Sequence, residues 1–340
     1  MNIRTPNPEL RFPLFGGAVS PLLAVALMVV APARGRAIEA ADPADMRTEL
    51  RFVFSKAMFV GVNENDARAA LKVYAQTIGD QNGVYVSSAP ELLEGTNAIA
   101  KSIKSKQADL FVLTAEEFFS LEHLGLEGPL LLAKIKDNLA EEYLLLASED
   151  SPLRKLEDLK GRSLTISSDA RSSLAALWLE VQCREQGLGS AMQLLAKVTF
   201  SAKTTQVVLP VFFGKADACL VTRASWEVMC ELNPQVRKRL RVVAVSPSLV
   251  PAVTCFRGGF TETAKRQVLR AVDLSSTKPS YNQLMAMFKT QGLGQQPLSV
   301  LEGTRALVAR FNELCQATNQ PKTAALEPRL LQGLAEESGK

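Results

Sequence analysis

The sequence predicts an α/β fold of two lobes, each a mainly parallel sheet flanked by helices, with extended hinge segments between them. Three observations predict it. From about residue 48 onward, short apolar runs alternate with amphipathic segments of helical period. The alternation breaks at Ser151 and Pro152 and then restarts with the same grammar. The chain has 340 residues, 47% of them hydrophobic and 22% charged, which is enough to build two cores.

In the first half, Glu49 to Ser55 reads as a strand, and Asn63 to Gly79 as a helix with Ala67, Ala70, Leu71, Tyr74 and Ile78 on one face. Asn63 or Asn65 is placed to cap it. Val84 to Ser88 reads as a strand, Gly95 to Lys106 as a helix, and Asp109 to Leu113 as a strand running into the helical Ala115 to Leu121. This order implies right-handed crossovers between parallel strands. Two apolar runs, Leu130 to Ile135 and Tyr143 to Ala147, lead to the break.

Beyond it, strands are expected at Ser163 to Ser167, Lys197 to Phe200, Ala216 to Val221 and Arg241 to Ser246. Helices are expected at Ser172 to Gln186, Thr205 to Phe213 and Arg223 to Leu232. A strand at Ala252 to Phe256 follows, then helices at Thr261 to Val272, Tyr281 to Thr290 and Leu301 to Cys315.

Composition excludes several classes of function. The net charge of +4 is spread over the whole chain, and no basic stripe with interleaved aromatics forms a nucleic-acid groove. Five cysteines sit singly in apolar stretches, without the short spacings of zinc or redox sites. They read as small buried hydrophobes, with Cys219 and Cys230 the first pair to examine for a disulfide. The single histidine, His123, reads as a surface residue and supplies no catalytic triad. Arg4 and Arg11 precede an apolar run from Leu14 to Ala33, followed by small residues and a charged stretch. This is the layout of a secretory signal, cleaved after Ala33, Ala37 or Ala40. The run is also long enough to span a bilayer, so an uncleaved anchor is the second reading, and both place the rest of the chain outside the cytoplasm.

The stretch Ser151-Pro152-Leu153-Arg154-Lys155-Leu156-Glu157-Asp158-Leu159-Lys160-Gly161-Arg162 resembles the segment that opens the second lobe of type 2 periplasmic binding proteins of ABC importers. Within that group the resemblance is to the phosphate, phosphite and phosphonate-binding branch. Ser105-Lys106-Gln107-Ala108-Asp109-Leu110 and Phe213-Gly214-Lys215-Ala216-Asp217-Ala218 resemble its recurring helix-to-strand turn. Asn233-Pro234 followed by Leu240 to Pro247 is similar to a further passage of the family. The expected organisation is a signal peptide or anchor over residues 1–40, a first lobe of 48–148 and 249–316, a second lobe of 149–248, and a flexible tail of 317–340.

Ligands of such folds sit where strand ends and helix N-termini converge. The run Ser167, Ser168, Asp169, Ala170, Arg171, Ser172 lies between a strand and a helix, where backbone N–H groups and the helix dipole favour an anion. Arg171 adds the prospect of a charge-assisted, bidentate contact. A plain turn with Ser172 as a cap accounts for the same residues. Thr204 and Thr205 stand at the next strand-to-helix junction, where capping is again the simpler role.

The resemblance implies ligand contacts at both junctions and at Thr114 and Glu116, which follow the strand Asp109 to Leu113. Relatives carry a hydroxyl cluster at the first junction, and Asp169 and Arg171 depart from it. A glutamate facing an anion is repulsive, so Glu116 points away, bonds a hydroxyl or amine, or marks another ligand class. Asn63, Asn65, Thr222 and Arg223 complete the candidates.

The function implied is extracytoplasmic capture of a small polar, anionic ligand, phosphate-like or phosphonate-like, by a monomer with no cofactor and no nucleic acid. The partner is an ABC permease or, alternatively, a membrane-bound kinase or chemoreceptor. A cofactor-biosynthesis enzyme on the same scaffold is the third and weakest reading.

Overall fold

A computed structural model of the chain describes residues 49–82, 87, 90–135, 138–275, 282, 285 and 290–317. The N-terminal apolar run, the tail beyond residue 317, the expected strand Val84 to Ser88 apart from Ser87, and most of the expected helix Tyr281 to Thr290 lie outside them.

In chain order the first elements are β1 (Phe52–Ser55), α1 (Glu64–Asn82), β2 (Glu91–Leu93), α2 (Gly95–Lys104), β3 (Leu110–Thr114), α3 (Ala115–Leu121) and β4 (Glu127–Lys134). Next come β5 (Tyr143–Ser148), β6 (Ser163–Ser167), α4 (Ala175–Glu185), α5 (Ala191–Leu194), β7 (Lys197–Ser201), α6 (Thr204–Phe212), β8 (Ala218–Thr222), α7 (Arg223–Leu232), α8 (Pro234–Arg239) and β9 (Leu240–Val245). The chain ends its described course through β10 (Ala252–Phe256), α9 (Glu262–Ser275), β11 (Gly292–Gln296) and α10 (Glu302–Ala317).

Two sheets result, ordered β11-β4-β10-β3-β1-β2 and β7-β6-β8-β5-β9. The expectation of mainly parallel pairing needs correction. Strands joined by helical crossovers are parallel: β1 with β2 and β3, and β6 with β7 and β8. Strands that enter from the connecting segments run the other way, so β10 pairs antiparallel with β3 and β4, β11 with β4, and β5 with β8 and β9. A parallel neighbour needs a crossover connection, which the helices supply, whereas a strand entering from the other lobe can add to the sheet in the opposite direction.

Alternation along each strand divides the side chains between two apolar layers. In the first sheet Phe52 and Phe54 join Leu71, Val268 and Leu269 on one face, while Val53, Phe111 and Leu113 join Ile99, Ile103 and Phe118 on the other. In the second, Leu144, Leu146, Cys219 and Val221 pack with Val207, Val211 and Trp226, and Leu145, Ile166 and Leu220 pack with Leu177 and Trp178. All five cysteines are buried and none is in a disulfide, so Cys219 and Cys230 share an apolar layer unlinked. Burial pushes the Cys183 thiol up to about 12.

Two boundaries differ from expectation. The break at Ser151 and Pro152 is a turn inside the second lobe, because β5 already belongs to the second sheet. A loop signal in sequence does not separate a turn within a lobe from a crossing between lobes. The crossings are the segments before β5 and between β9 and β10, which pair through Glu141 and Leu249: each N–H donates to the other's carbonyl, at 2.7 and 2.8 Å. The helix α10, expected with the first lobe, packs on α4 and inserts Leu307, Phe311 and Cys315 into the second lobe's core. Its start is held elsewhere. Thr304 Oγ1 accepts from the Val250 N–H at 2.8 Å, and Arg305 pairs with Glu122 and lies over the Phe119 ring.

This strap predicts the effect of shortening one side chain. Phe311→Ala should lower stability by about 3–5 kcal/mol in denaturant unfolding, with the loss in the second lobe. A change within about 0.5 kcal/mol would show that α10 is not part of that core.

Candidate functional site

Strands β1, β3, β6, β7 and β8 end at Ser55, Thr114, Ser167, Ser201 and Thr222, and each is followed by a turn or a helix start. The two lobes touch along this edge. The 3-10 turn Lys56–Phe59 of the first lobe rests against the 3-10 turn Ala170–Ser172 of the second. Gly61 has a φ of +75°, and a Cβ there would come within 2.9 Å of the Ala202 Cβ, so glycine permits both the turn and the approach. The Pro251 carbonyl, in a crossing segment, accepts from the Ala115 N–H at 2.9 Å and the Ser173 hydroxyl at 3.3 Å. The start of α3 and the turn after β6 therefore meet at one oxygen.

The turn after β6 is organised by Asp169. Its Oδ1 accepts from the N–H groups of Arg171 and Ser172, both at 3.0 Å, and the Ser167 hydroxyl donates to its Oδ2 at 3.3 Å. The Ser168 N–H donates to the Ser201 carbonyl at 3.0 Å. Among the described residues the Ser168 hydroxyl and the buried Ser172 hydroxyl have no partner. The guanidinium of Arg171 turns toward the crossing segment and pairs with the buried carboxylate of Glu141. Burial lowers Arg171 to about 10, so it stays cationic at neutral pH. The Tyr143 hydroxyl donates to the Arg171 carbonyl at 3.0 Å, which fastens the turn a second time.

On the first lobe, Thr114 and Glu117 form a capping box at the start of α3: the Thr114 N–H donates to Glu117 Oε2 at 3.0 Å, and the Glu117 N–H donates to Thr114 Oγ1 at 3.3 Å. The Ser55 hydroxyl donates to the other oxygen of Glu117 at 2.6 Å. Glu116, beside it, has no side-chain partner among the described residues. Burial raises its carboxyl to about 7, with the charge of Glu117 adding to the effect. The Tyr143 phenol is pushed far up by burial, and the charges of Asp169 and Glu116 push it the same way. Those two carboxylates thus act on one phenol from opposite lobes.

The remaining candidates stand on the same edge. Thr204 is half-buried and Thr205 exposed at the start of α6, and Lys203 before them is exposed; none of the three side chains has a partner among the described residues. Asn65 is exposed at the start of α1, its N–H bonded to Asn63 Oδ1 at 2.9 Å. Thr222 caps α7 by accepting from the Ser225 N–H at 3.1 Å, and Arg223 is engaged by Glu142. Sequence reading passed over Ser55, Tyr143, Glu141 and the capping role of Asp169. Only the position of Ser55 at a strand end and of Asp169 two residues before a helical run could have pointed to them. Among the described residues no group of histidine, cysteine or carboxylate side chains is placed to hold a metal ion, and no helix is long and apolar enough to cross a membrane.

A family model for the periplasmic substrate-binding protein of phosphonate ABC transporters matches residues 63–296. No curated protein sequence matches closely enough to count as a relative. Among solved structures, a phosphonate-transporter binding protein from Pseudomonas aeruginosa is 13% identical with a TM-score of 0.54, covering 86% of this chain and 95% of its own. PhnD1 from Prochlorococcus marinus, in complex with methylphosphonate, is 15% identical with a TM-score of 0.54, covering 78% of this chain and 98% of its own. A Xanthomonas citri protein bound to ATP is 16% identical with a TM-score of 0.56, covering 79% of this chain and 99% of its own. At such identities these likenesses bear on the fold, which is that of type 2 periplasmic binding proteins. The match to the family model extends from α1 through β11, and the chain belongs to the periplasmic substrate-binding proteins of phosphonate ABC transporters.

Proposed function

We propose that this protein captures a small oxyanion between its lobes and presents the closed form to an ABC permease, without transforming the ligand. The observation that supports this most is the meeting of the Ser167–Ser173 turn with the start of α3 at the Pro251 carbonyl, which draws hydroxyl-bearing strand ends from both lobes to one edge. On this reading the Ser168 and Thr204 hydroxyls and the Lys203 ammonium are the ligand's donors, with Ser167 and Ser172 beneath them. Arg171 positions the turn through Glu141, and Thr114 does the same for α3 through Glu117. Thr205, Asn65 and Arg223 border the opening. Contacts from both lobes exist together only when the lobes are closed, so binding shifts the population toward closure. The family supports a periplasmic place of action and a permease partner.

A thermal-shift panel of sulfonates, phosphonates, phosphate, phosphite, amino acids and polyamines tests the ligand class, since a bound ligand raises the midpoint by mass action. At least one anion should raise it, and Ser168→Ala with Thr204→Ala should weaken that anion at least about tenfold, which is about 1.4 kcal/mol. A panel in which only cations act would contradict the reading.

Glu116 sets an expected pH dependence. Its carboxyl ionises as the pH rises through about 7, adding negative charge beside the anion. Anion affinity should therefore fall across that range in the native protein and stay level in Glu116→Gln. The same shift acts on stability: the folded state holds this proton more tightly than the unfolded chain, whose carboxyl has the ordinary value of 4.5, so ionising it disfavours folding. Glu116→Gln should be more stable by on the order of 1–3 kcal/mol above pH 7, a difference that vanishes at low pH. Identical pH profiles for the two proteins would remove Glu116 from the cleft.

A further inference from the structure

We propose that Asp169 is a charge filter: its carboxylate occupies the backbone amides that a dianion would use, so the cleft accepts a singly charged oxyanion, such as a sulfonate, a carboxylate or a phosphonate monoester, ahead of phosphate or a fully ionised phosphonate. This rests on the reading of the cleft as an anion site and narrows it to one charge class.

Successive backbone N–H groups in a turn after a strand are ready donors for an anion, because they need no ordering. Here two of them, from Arg171 and Ser172, are already bonded to Asp169 Oδ1, and the Ser167 hydroxyl is directed to Oδ2. An incoming anion meets a fixed negative charge where free amides would otherwise stand. The cations nearby do not offset a second ligand charge. Arg171 is committed to Glu141, and Lys56, on the facing turn, is committed to Glu64 and Glu94. Lys203 is the cation at these junctions that has no partner among the described residues, and one ammonium balances one negative charge.

Two independent features agree. Ser172 is only 4% exposed and its hydroxyl has no partner among the described residues, so the turn that Asp169 caps retains an unfilled neutral donor beside its filled amides. From the opposite lobe, Glu116 brings a second carboxyl without a partner, and its charge and that of Asp169 are felt by the same Tyr143 phenol. A dianion between these groups faces repulsion from both lobes, whereas a monoanion bound to hydroxyls and one ammonium faces far less.

Calorimetry of the full chain at about pH 8 with methanesulfonate, inorganic phosphate and methylphosphonate, on native protein, Asp169→Ser and Asp169→Asn, separates the possibilities. Serine keeps a capping hydroxyl and asparagine keeps the acceptor without the charge, and thermal midpoints check that both fold. The native protein should bind methanesulfonate at least about tenfold more tightly than phosphate, and Asp169→Ser should tighten phosphate by at least about tenfold while methanesulfonate stays within about threefold. Asparagine should fall between the two, and it carries the test if the serine variant does not fold. Tighter binding of phosphate or methylphosphonate than methanesulfonate by the native protein, or weaker dianion binding in both variants, overturns the filter and leaves the anion cleft standing. Failure of all three anions to bind to any of the proteins overturns both.

Discussion

The architecture depends on one short pairing, the two crossing segments joined through Glu141 and Leu249. Two backbone hydrogen bonds hold the segments side by side, and the Glu141 side chain reaches on to Arg171 in the turn after β6. The segment that joins the two sheets is thereby tied to the turn after β6. Glu141 is buried, so loss of Arg171 would strand a carboxylate out of water, a costly change that keeps the turn in place. Tyr143, two residues along, fastens the same turn through the Arg171 carbonyl. The crossing segment and the turn after β6 are held by the same few residues, while α10 straps the first lobe's edge to the second lobe's core.

Charge is distributed around this edge with few loose ends. Arg171, Arg223 and Lys56 are each matched by a carboxylate, Thr114 and Thr222 are spent as helix caps, and Asp169 satisfies the turn it begins. Among the described residues, the hydroxyls of Ser168, Ser172, Thr204 and Thr205, the Lys203 ammonium and the Glu116 carboxyl remain without a partner. Their settings differ: Ser172 is buried, Ser168, Thr204 and Glu116 are half-buried, and Lys203 is exposed, so its charge is the most strongly screened by solvent.

The periodicities of the sequence carried most of the secondary structure. Ala115–Leu121, Ser163–Ser167, Arg223–Leu232 and Ala252–Phe256 fall where the apolar patterns place them. The Gly292–Gln296 strand, glycine or glutamine at four of its five positions, offered no such pattern, nor did the short helices Ala191–Leu194 and Pro234–Arg239. The edge that holds the candidate residues was marked in the sequence by hydroxyls at strand-to-helix junctions, and two of these, Thr114 and Thr222, stand there as helix caps. The partners of the candidate residues were not marked in this way. Arg171 looked like a ligand contact until Glu141, 30 residues earlier in sequence, took its guanidinium, and no local pattern announces such a pairing.

Closure of the lobes around a bound anion is the central claim, and an inter-lobe distance measures it most directly. Spin labels on cysteines introduced at the exposed positions Ala69, on α1, and Gln206, on α6, report the separation by pulsed electron resonance, and the native thiols are buried. With a bound anion the account predicts a single short, narrow distance, and without it a broader distribution extending to longer distances. A distribution that no anion alters, at concentrations where calorimetry shows binding, would contradict it.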